Sequence, residues 1–434
     1  MRLRLFFSCD PCIARCLVSI SFGITRSFAR LLLGFARFRG RLLCLGRLLH
    51  GRRRLLGVFA ASGLLVAWTG RYSLVLALFA AGLAQAADKL VGGPYVVRPT
   101  DRSVTIGWVI ETDTVATGAA AGKVDRRVPV LRCEKVSMTG LKAGETVYYE
   151  IPSSAGGAAP ELRKGHFKTP PTGSASFQFV VFGDTRTRHD LHRKVVDAIV
   201  KTDPDFVLHT GDLVTDGYDT AQWPVFFDIE REMLRKTVFV PVLGNHERNN
   251  ARFHEFFDVN SPYYSFNWGS AHFAILDSDL INYSVSTAER ERFWDEQTRW
   301  LDEDLRASQK ADFRFVVMHH PPFTVNQANA GHVSKEALAL VPLLEKQKVT
   351  AVLAGHDHNY QRHVKNGVQY IITGGGGAPL APADPPLPGG ITKKVVSVEH
   401  YVTIKVEGNR ARMEVIALDG SVIETVELAT DERR

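Results

Sequence analysis

Five short apolar runs between residues 177 and 360 stop in the same manner, in a cluster of small polar and imidazole side chains. The run 177–182 leads into Gly183-Asp184-Thr185-Arg186, 206–208 into Gly211-Asp212, and 238–243 into Gly244-Asn245-His246-Glu247. The run 313–318 leads into His319-His320-Pro321-Pro322, and 349–354 into Gly355-His356-Asp357-His358-Asn359. Between them lie amphipathic stretches with helical period, 189–201, 221–234, 288–307 and 335–347, which indicates βαβ units around sheets buried on at least one face. In open α/β sheets ligands bind beyond the carboxyl ends of the strands, so five such ends can converge on one site. Glycine at these ends lets the backbone bend sharply enough for side chains to reach a common centre.

The residue types at that centre suit two metal ions. Asp184 and Asp212 supply hard oxygens, His319, His356 and His358 supply imidazole, and Asn245 supplies a neutral carbonyl oxygen, a mixture suited to Mn²⁺, Fe²⁺ or Zn²⁺. One carboxylate can bridge two ions roughly 3.5–4 Å apart. His356 and His358 are two apart, so on extended backbone both point the same way while Asp357 points away. Two divalent ions less two carboxylates leave a positive surplus that can hold a hydroxide and a phosphate.

Residues 90–171 have a different rhythm. Short alternating segments at 95–98, 103–110, 128–131, 134–138, 146–151 and 165–168, divided by turn residues, indicate an all-β sandwich of the immunoglobulin type. Trp108 in a strand, Leu141-Lys142-Ala143-Gly144-Glu145 before Val147-Tyr148-Tyr149, and the closing Phe167-Lys168-Thr169-Pro170-Pro171 resemble fibronectin type III-like domains. A Pro/Gly/Ser stretch at 170–176 is the expected boundary, giving a β domain over 88–172 and an α/β domain over 175–430. The last part, 401–406, 412–418 and 422–428, reads as strands joined by tight turns.

Charge separates a third piece. Residues 1–86 hold 13 Arg, no Lys and one acid, Asp10, a net of +12, so the formal +7 of the chain leaves −5 for residues 87–434. That remainder has no broad basic surface, which argues against a nucleic-acid partner. Cys133 is its only cysteine, so it forms no internal disulfide. Residues 1–54 carry no caps, alternation or acids and are assigned no fold. The stretches 55–70 and 72–86, parted by Arg71, each fall short of the roughly 20 residues of a membrane span. The second has the form of a secretory signal: Arg71, an apolar core at 74–83 and the small-x-small site Ala84-Gln85-Ala86. We expect cleavage after Ala86 and a secreted or periplasmic enzyme. No Met occurs between Met1 and Met138, so a Val or Leu start near Val66 would leave 1–65 untranslated. Two other readings stand beside this one. Arg52-Arg53-Arg54-Leu55-Leu56 is loosely like a twin-arginine signal, and 55–86 retained as one uncleaved anchor would be the only route to a membrane.

The ordered set GD, GD, GNHE, HHPP and GHDH resembles the calcineurin-like metallophosphoesterase superfamily, over about residues 90–428. With a fibronectin-like region in front, the chain is most similar to its purple acid phosphatase branch. The resemblance implies two β-sheets flanked by helices, and two bound metals. Asp184 and His358 would hold the first metal, Asn245, His319 and His356 the second, and Asp212 would bridge. His246 would stabilise the transition state or protonate the leaving oxygen while hydroxide on the metals attacks phosphorus. Two positions depart from the family pattern. Purple acid phosphatases carry a metal-binding, colour-giving Tyr three residues after the bridging Asp, where this chain has Thr215, with Tyr218 out of register. Many other members carry His two residues after the first Asp, where this chain has Arg186. A colourless enzyme with divalent metals is predicted, with water, substrate or His189 completing the first metal's shell.

Other polar residues carry bland readings beside functional ones. Arg186 is read equally as an ion pair to a nearby carboxylate and as a fork onto substrate phosphate. His332, in a polar loop, is a substrate contact or a solvated residue. His320 is placed around the site or at its rim, Asp277 as a support or a turn cap, and His209 as a hydrogen-bonded core histidine. The Gly/Pro-rich 373–390 is read as a connection sooner than a lid. Together these features predict an exported two-metal phosphoesterase acting on a small phosphomonoester. A phosphodiesterase acting on nucleotides or lipids is a second reading. A third is an envelope-surface binding protein with a relict metal site, against which the complete ligand set counts.

Overall fold

The protein is described by a computed structural model covering residues 60–61, 64–65, 88–279, 285–326 and 335–429. Of the first segment only Ala60–Ala61 and Leu64–Leu65 are described, paired antiparallel. The signal-like core and cleavage site, the rest of the two apolar stretches, and His332 lie outside the described residues. From Gln85 onward the chain is one compact unit. Among the described residues no helix is long and apolar enough to cross a membrane.

Two sheets carry the fold. In the first, strands β6 (Phe177–Phe182), β7 (Phe206–His209) and β8 (Val238–Pro241) run parallel, and β16 (His400–Glu407) pairs antiparallel with β6. In the second, β10 (Ala271–Ile275), β11 (Phe313–Val317), β12 (Ala351–Ala354) and β14 (Val368–Thr373) run parallel. Successive side chains on a strand face opposite ways, and here both faces are apolar. Phe179 and Val181 of β6 face the second sheet with Phe206, Phe273 and Phe315, whereas Val180 and Phe182 face the helices His189–Lys201 (α1) and Gln222–Leu234 (α2). The Phe179 ring meets Phe273 edge-on at 5.3 Å and Phe315 at 5.5 Å, which locks sheet to sheet. Ala274, Val316 and Val352 cover the far side with Trp294, Leu301 and Leu305 of Thr287–Ala307 (α4), a helix started by the Ser286–Glu289 capping box.

The 89–168 region is all-β, but it is not a freestanding sandwich. Strand β1 (Lys89–Val97) pairs parallel with β8 at Val96–Val238, and β2 (Ser103–Thr117) and β3 (Arg126–Thr139) extend the same sheet outward to nine strands. Hydrogen bonding within the sheet therefore crosses the boundary expected at 170–176. The physical reason is the edge of β8, whose unpaired amides and carbonyls need a cover. Tyr95 then stacks on Phe227 of α2 at 5.3 Å, and a Cβ at Gly92 would sit 2.7 Å from that ring. The two expected segments at 128–131 and 134–138 are one strand, and β4 (Thr146–Glu150) with β5 (Lys164–Lys168) forms a separate hairpin.

Phe179 sits at the centre of the intersheet core, fully buried. Phe179→Ala is expected to cost about 3–5 kcal/mol in urea unfolding, whereas replacing the exposed Val422 should leave the midpoint nearly unchanged.

Candidate metal centre

The three first-sheet strands and β11 and β12 of the second end side by side, and their loops hold the polar clusters. Three non-glycine residues there sit in the left-handed region: Asp184 at φ 58°, Asp212 at 59° and His356 at 70°. That conformation costs an L-residue on the order of 1–3 kcal/mol and persists only where the surroundings impose it. It turns each side chain off its strand toward the centre. His356 and Asp357 therefore lie in a turn, not on the extended backbone expected, yet Asp357 does point away, held by Thr324, by Asn326 and by Gln361 Nε2 at 3.1 Å.

Eight of the expected residues are brought together. Asn245 Oδ1 lies 2.9 Å from His319 Nε2 and 3.0 Å from His356 Nδ1, and His319 Nε2 is 3.4 Å from Asp212 Oδ1. Across the centre, His358 Nε2 is 3.5 Å from Asp184 Oδ1, whose other oxygen accepts the His356 amide at 3.0 Å. His246 donates its backbone N–H to Asp212 Oδ1 at 3.0 Å and turns Nε2 to 3.8 Å from Oδ2. Arg186 Nε approaches Asp212 Oδ2 at 3.4 Å, the ion pair that was one of its two readings. His189, the alternative ligand, is exposed at the start of α1. His209 bonds Thr185 Oγ1 at 3.1 Å within the core, as expected.

The donor set fits metal on two grounds. Carbonyl oxygens only accept, so His319 Nδ1 donates to Thr210 O at 2.8 Å and His358 Nδ1 to Pro379 O at 2.8 Å. In the neutral ring each leaves Nε2 as a lone pair facing the centre, the arrangement common to metal-binding histidines. Burial holds His319 well below the ordinary histidine range, and burial with the Arg186 charge lowers His358 to about 4, so both rings are neutral at pH 7. The second ground is Asp184 Oδ1, buried and without a hydrogen-bond donor. Burial, then the Asp212 charge beside it, pushes Asp184 well above the carboxylate range. Two carboxylates so placed call for a cation.

Glu247 escaped the sequence reading, and the structure decides the readings of two others, His320 and the segment after β14. Glu247 is fully buried and accepts four backbone amides, Asp212 N at 2.9 Å, Leu213 N at 2.7 Å, Val214 N at 3.2 Å and Gly244 N at 2.8 Å. Burial and the Asp212 charge raise it to about 8, against the amides of Gly244, Val214 and Asp212. Gly244 permits the approach, since a Cβ there would lie 2.3 Å from Asp212 N. The only signal was Glu247's place in the fourth position of Gly-Asn-His-Glu. His320 is inside, not at a rim: Nδ1 is 3.2 Å from Ser278 Oγ, its ring lies 4.4 Å from that of His356, and it joins His319 and His356 in a group able to hold an ion. The segment after β14 closes the base of the first loop. Ala378 N donates to Asp184 O at 2.7 Å, and a Cβ on Gly374 would fall 2.2 Å from Asp357 O.

The sequence pattern of the calcineurin-like phosphoesterase family matches residues 177–360, the stretch holding every one of these loops. The chain carries a calcineurin-like metallophosphoesterase domain. Among curated proteins it is 30% identical over 269 residues to purple acid phosphatase 21 of Arabidopsis thaliana, covering 56% of this chain and 57% of that protein. It is 27% identical over 219 residues to tartrate-resistant acid phosphatase type 5 of Sus scrofa, covering 44% and 64%. The chain thus spans somewhat over half the length of these relatives. The purple acid phosphatase PPD1 from yellow lupin (Lupinus luteus) seeds shares the fold with TM-score 0.60 over 78% of this chain and 74% of that one, at 18% identity. PhoD shares it with TM-score 0.54 over 79% and 90%, at 14% identity.

Within this phosphoesterase domain the two departures from the family pattern touch each other. Thr215 Oγ1 donates to the Arg186 carbonyl at 2.6 Å, while the Tyr218 ring is exposed beneath the Arg248 guanidinium, 5.1 Å from ring centroid to Arg248 Cζ. For Glu247→Ala, four amides lose their acceptor in a buried place. We expect a loss of about 3–5 kcal/mol in thermal or urea unfolding and a fall in metal content that Glu247→Gln, keeping part of the acceptor set, only partly reproduces.

Proposed function

We propose that this protein is an exported two-metal phosphoesterase that hydrolyses phosphomonoesters. One observation carries the reading: the two oxygens of Asp212 address different side chains, Oδ1 the His319 imidazole at 3.4 Å, Oδ2 Arg186 Nε at 3.4 Å and His246 Nε2 at 3.8 Å. A bridging carboxylate requires that division. Asp184 and His358 would hold the first ion, Asn245, His319 and His356 the second, and Asp212 would serve both, with Mn²⁺, Fe²⁺ or Zn²⁺ as candidates. When bound, such ions supply Lewis-acid polarisation of a phosphoryl oxygen and a water of lowered pKa.

The chain's own residues complete the chemistry. His246 Nδ1 donates to Thr215 O at 2.6 Å, which orients the ring and directs Nε2 toward the centre, where the imidazolium form can give its Nε2 proton to the leaving oxygen. Arg186 brings a guanidinium to the same side, suited to an equatorial phosphate oxygen. The acid phosphatase names of the curated relatives support a monoester, and the absence of a phenol at Thr215 supports divalent ions without colour. Residues 88–172 are read as a fibronectin-like region that works as an edge cover for the catalytic sheet. Arg71, the apolar core at 74–83 and Ala84-Gln85-Ala86 support export with cleavage, and the retained-anchor reading is the alternative outcome.

Purified protein should contain two ions per chain, show no visible absorption band and hydrolyse an aryl phosphate faster than a bis-aryl phosphate. Asp212→Asn should cut turnover at least about a hundredfold and lower bound metal with the circular dichroism spectrum retained. The reverse substrate order would overturn the monoester assignment, and full activity in Asp212→Asn the two-metal one. Secreted material should begin at Ala87 on N-terminal sequencing; a chain beginning before Leu55 would exclude the signal peptide.

A further inference from the structure

The most informative residue outside the shared ligand pattern is Arg186. Its guanidinium lies against two of the three groups assigned above to the first ion: Nε is 3.4 Å from Asp212 Oδ2 and Nη2 is 3.5 Å from His358 Nε2. The third, Asp184 Oδ1, is 3.5 Å from that same His358 nitrogen. A single positive charge therefore stands among the first ion's donors, with the side chain only 17% exposed. Nε is buried and makes no hydrogen bond of its own, so besides the ion pair only long contacts hold the guanidinium, Nη1 to Thr187 Oγ1 at 3.4 Å and Nη2 to His358 Nε2 at 3.5 Å. The backbone beneath it is fixed, since the Arg186 carbonyl accepts from Thr215 Oγ1 at 2.6 Å.

We infer that Arg186 is a resident counter-ion of the first metal position: the guanidinium competes with the first ion for Asp212 and His358, and when displaced becomes the group that grips the substrate's phosphate. The inference rests on the two-ion reading. Electrostatics make the competition unavoidable, because a divalent ion and a guanidinium within a few ångströms repel strongly in a low-dielectric site. The two ions should therefore bind with unequal affinity, the first position the weaker. The displaced guanidinium, always charged and forked, suits a phosphate oxygen pair held over the ions.

The test is Mn²⁺ titration of the metal-stripped full chain by calorimetry, for wild type, Arg186→Ala and Arg186→Lys, followed by inorganic phosphate titration of each Mn²⁺-loaded protein. Arg186→Ala should tighten the weaker Mn²⁺ step by on the order of tenfold or more and leave the tighter step unchanged. It should also weaken inorganic phosphate binding by about tenfold. Arg186→Lys keeps the charge, so its weaker Mn²⁺ step should stay near wild type while phosphate binding falls. Wild type binding one ion and Arg186→Ala binding two would also support the competition, and would limit the two-ion reading to the variant. Two ions in both with equal affinities would overturn the inference and leave the two-ion reading intact. One ion or none in both would overturn the two together.

Discussion

A buried carboxylate holds the centre in shape. Glu247 collects amides from the loop after β7 and from the loop after β8, so the positions of Asp212 and Asn245 are set by one side chain that touches neither the substrate nor any ring nitrogen. An amide buried without an acceptor is costly, and four of them aimed at one point leave the two loops a single arrangement. The same clamp stabilises the left-handed conformation of Asp212, which the residue would not adopt unaided.

Beyond this clamp the sheets determine what can meet. Phe179, Phe206, Phe273 and Phe315 interlock across the interface, and their strands therefore finish at matching heights. Neither sheet alone contains the centre: Asp184, Asp212 and Asn245 follow strands of the first, His319, His356 and His358 strands of the second. Metal affinity is on this view a property of sheet packing as much as of ligand identity. The Arg186–Thr215 contact shows the same economy at the rim. The residue in the place of a metal-binding phenol carries the backbone of the residue in the place of a metal-binding imidazole.

The centre was legible because each of its ligands ends an apolar run, and strand ends in parallel sheets converge for topological reasons. Helices α1 and α2 were legible from period alone, within one residue of their observed bounds. What stayed hidden depended on contacts between distant segments. Glu247 has no signature beyond its tetrapeptide, since its partners are backbone amides that any sequence supplies. His320 could not be told from a rim residue without Ser278 and His356 around it. The helix Ala251–Phe257 is too short for a periodicity to register. The join between β1 and β8 was masked because alternation reports that a strand exists and says nothing about which edge it pairs with.

That join has a consequence for how the protein comes into being. The strands bearing Asp184, Asp212 and Asn245 are flanked by β1 on one side and by β16 on the other, with Val96 opposite Val238 and Val402 opposite Val181. The second flank, residues 400–407, follows all six ligands in the sequence. Pairings so far apart in sequence form slowly, because the chain between them must be closed first. During synthesis every ligand is made before the strand that secures the first of them, so ligands and cations can coexist for some time without a settled centre. A chain lacking residues 400–407 would keep all six ligand side chains without the strand that pairs with β6, the one leading to Asp184.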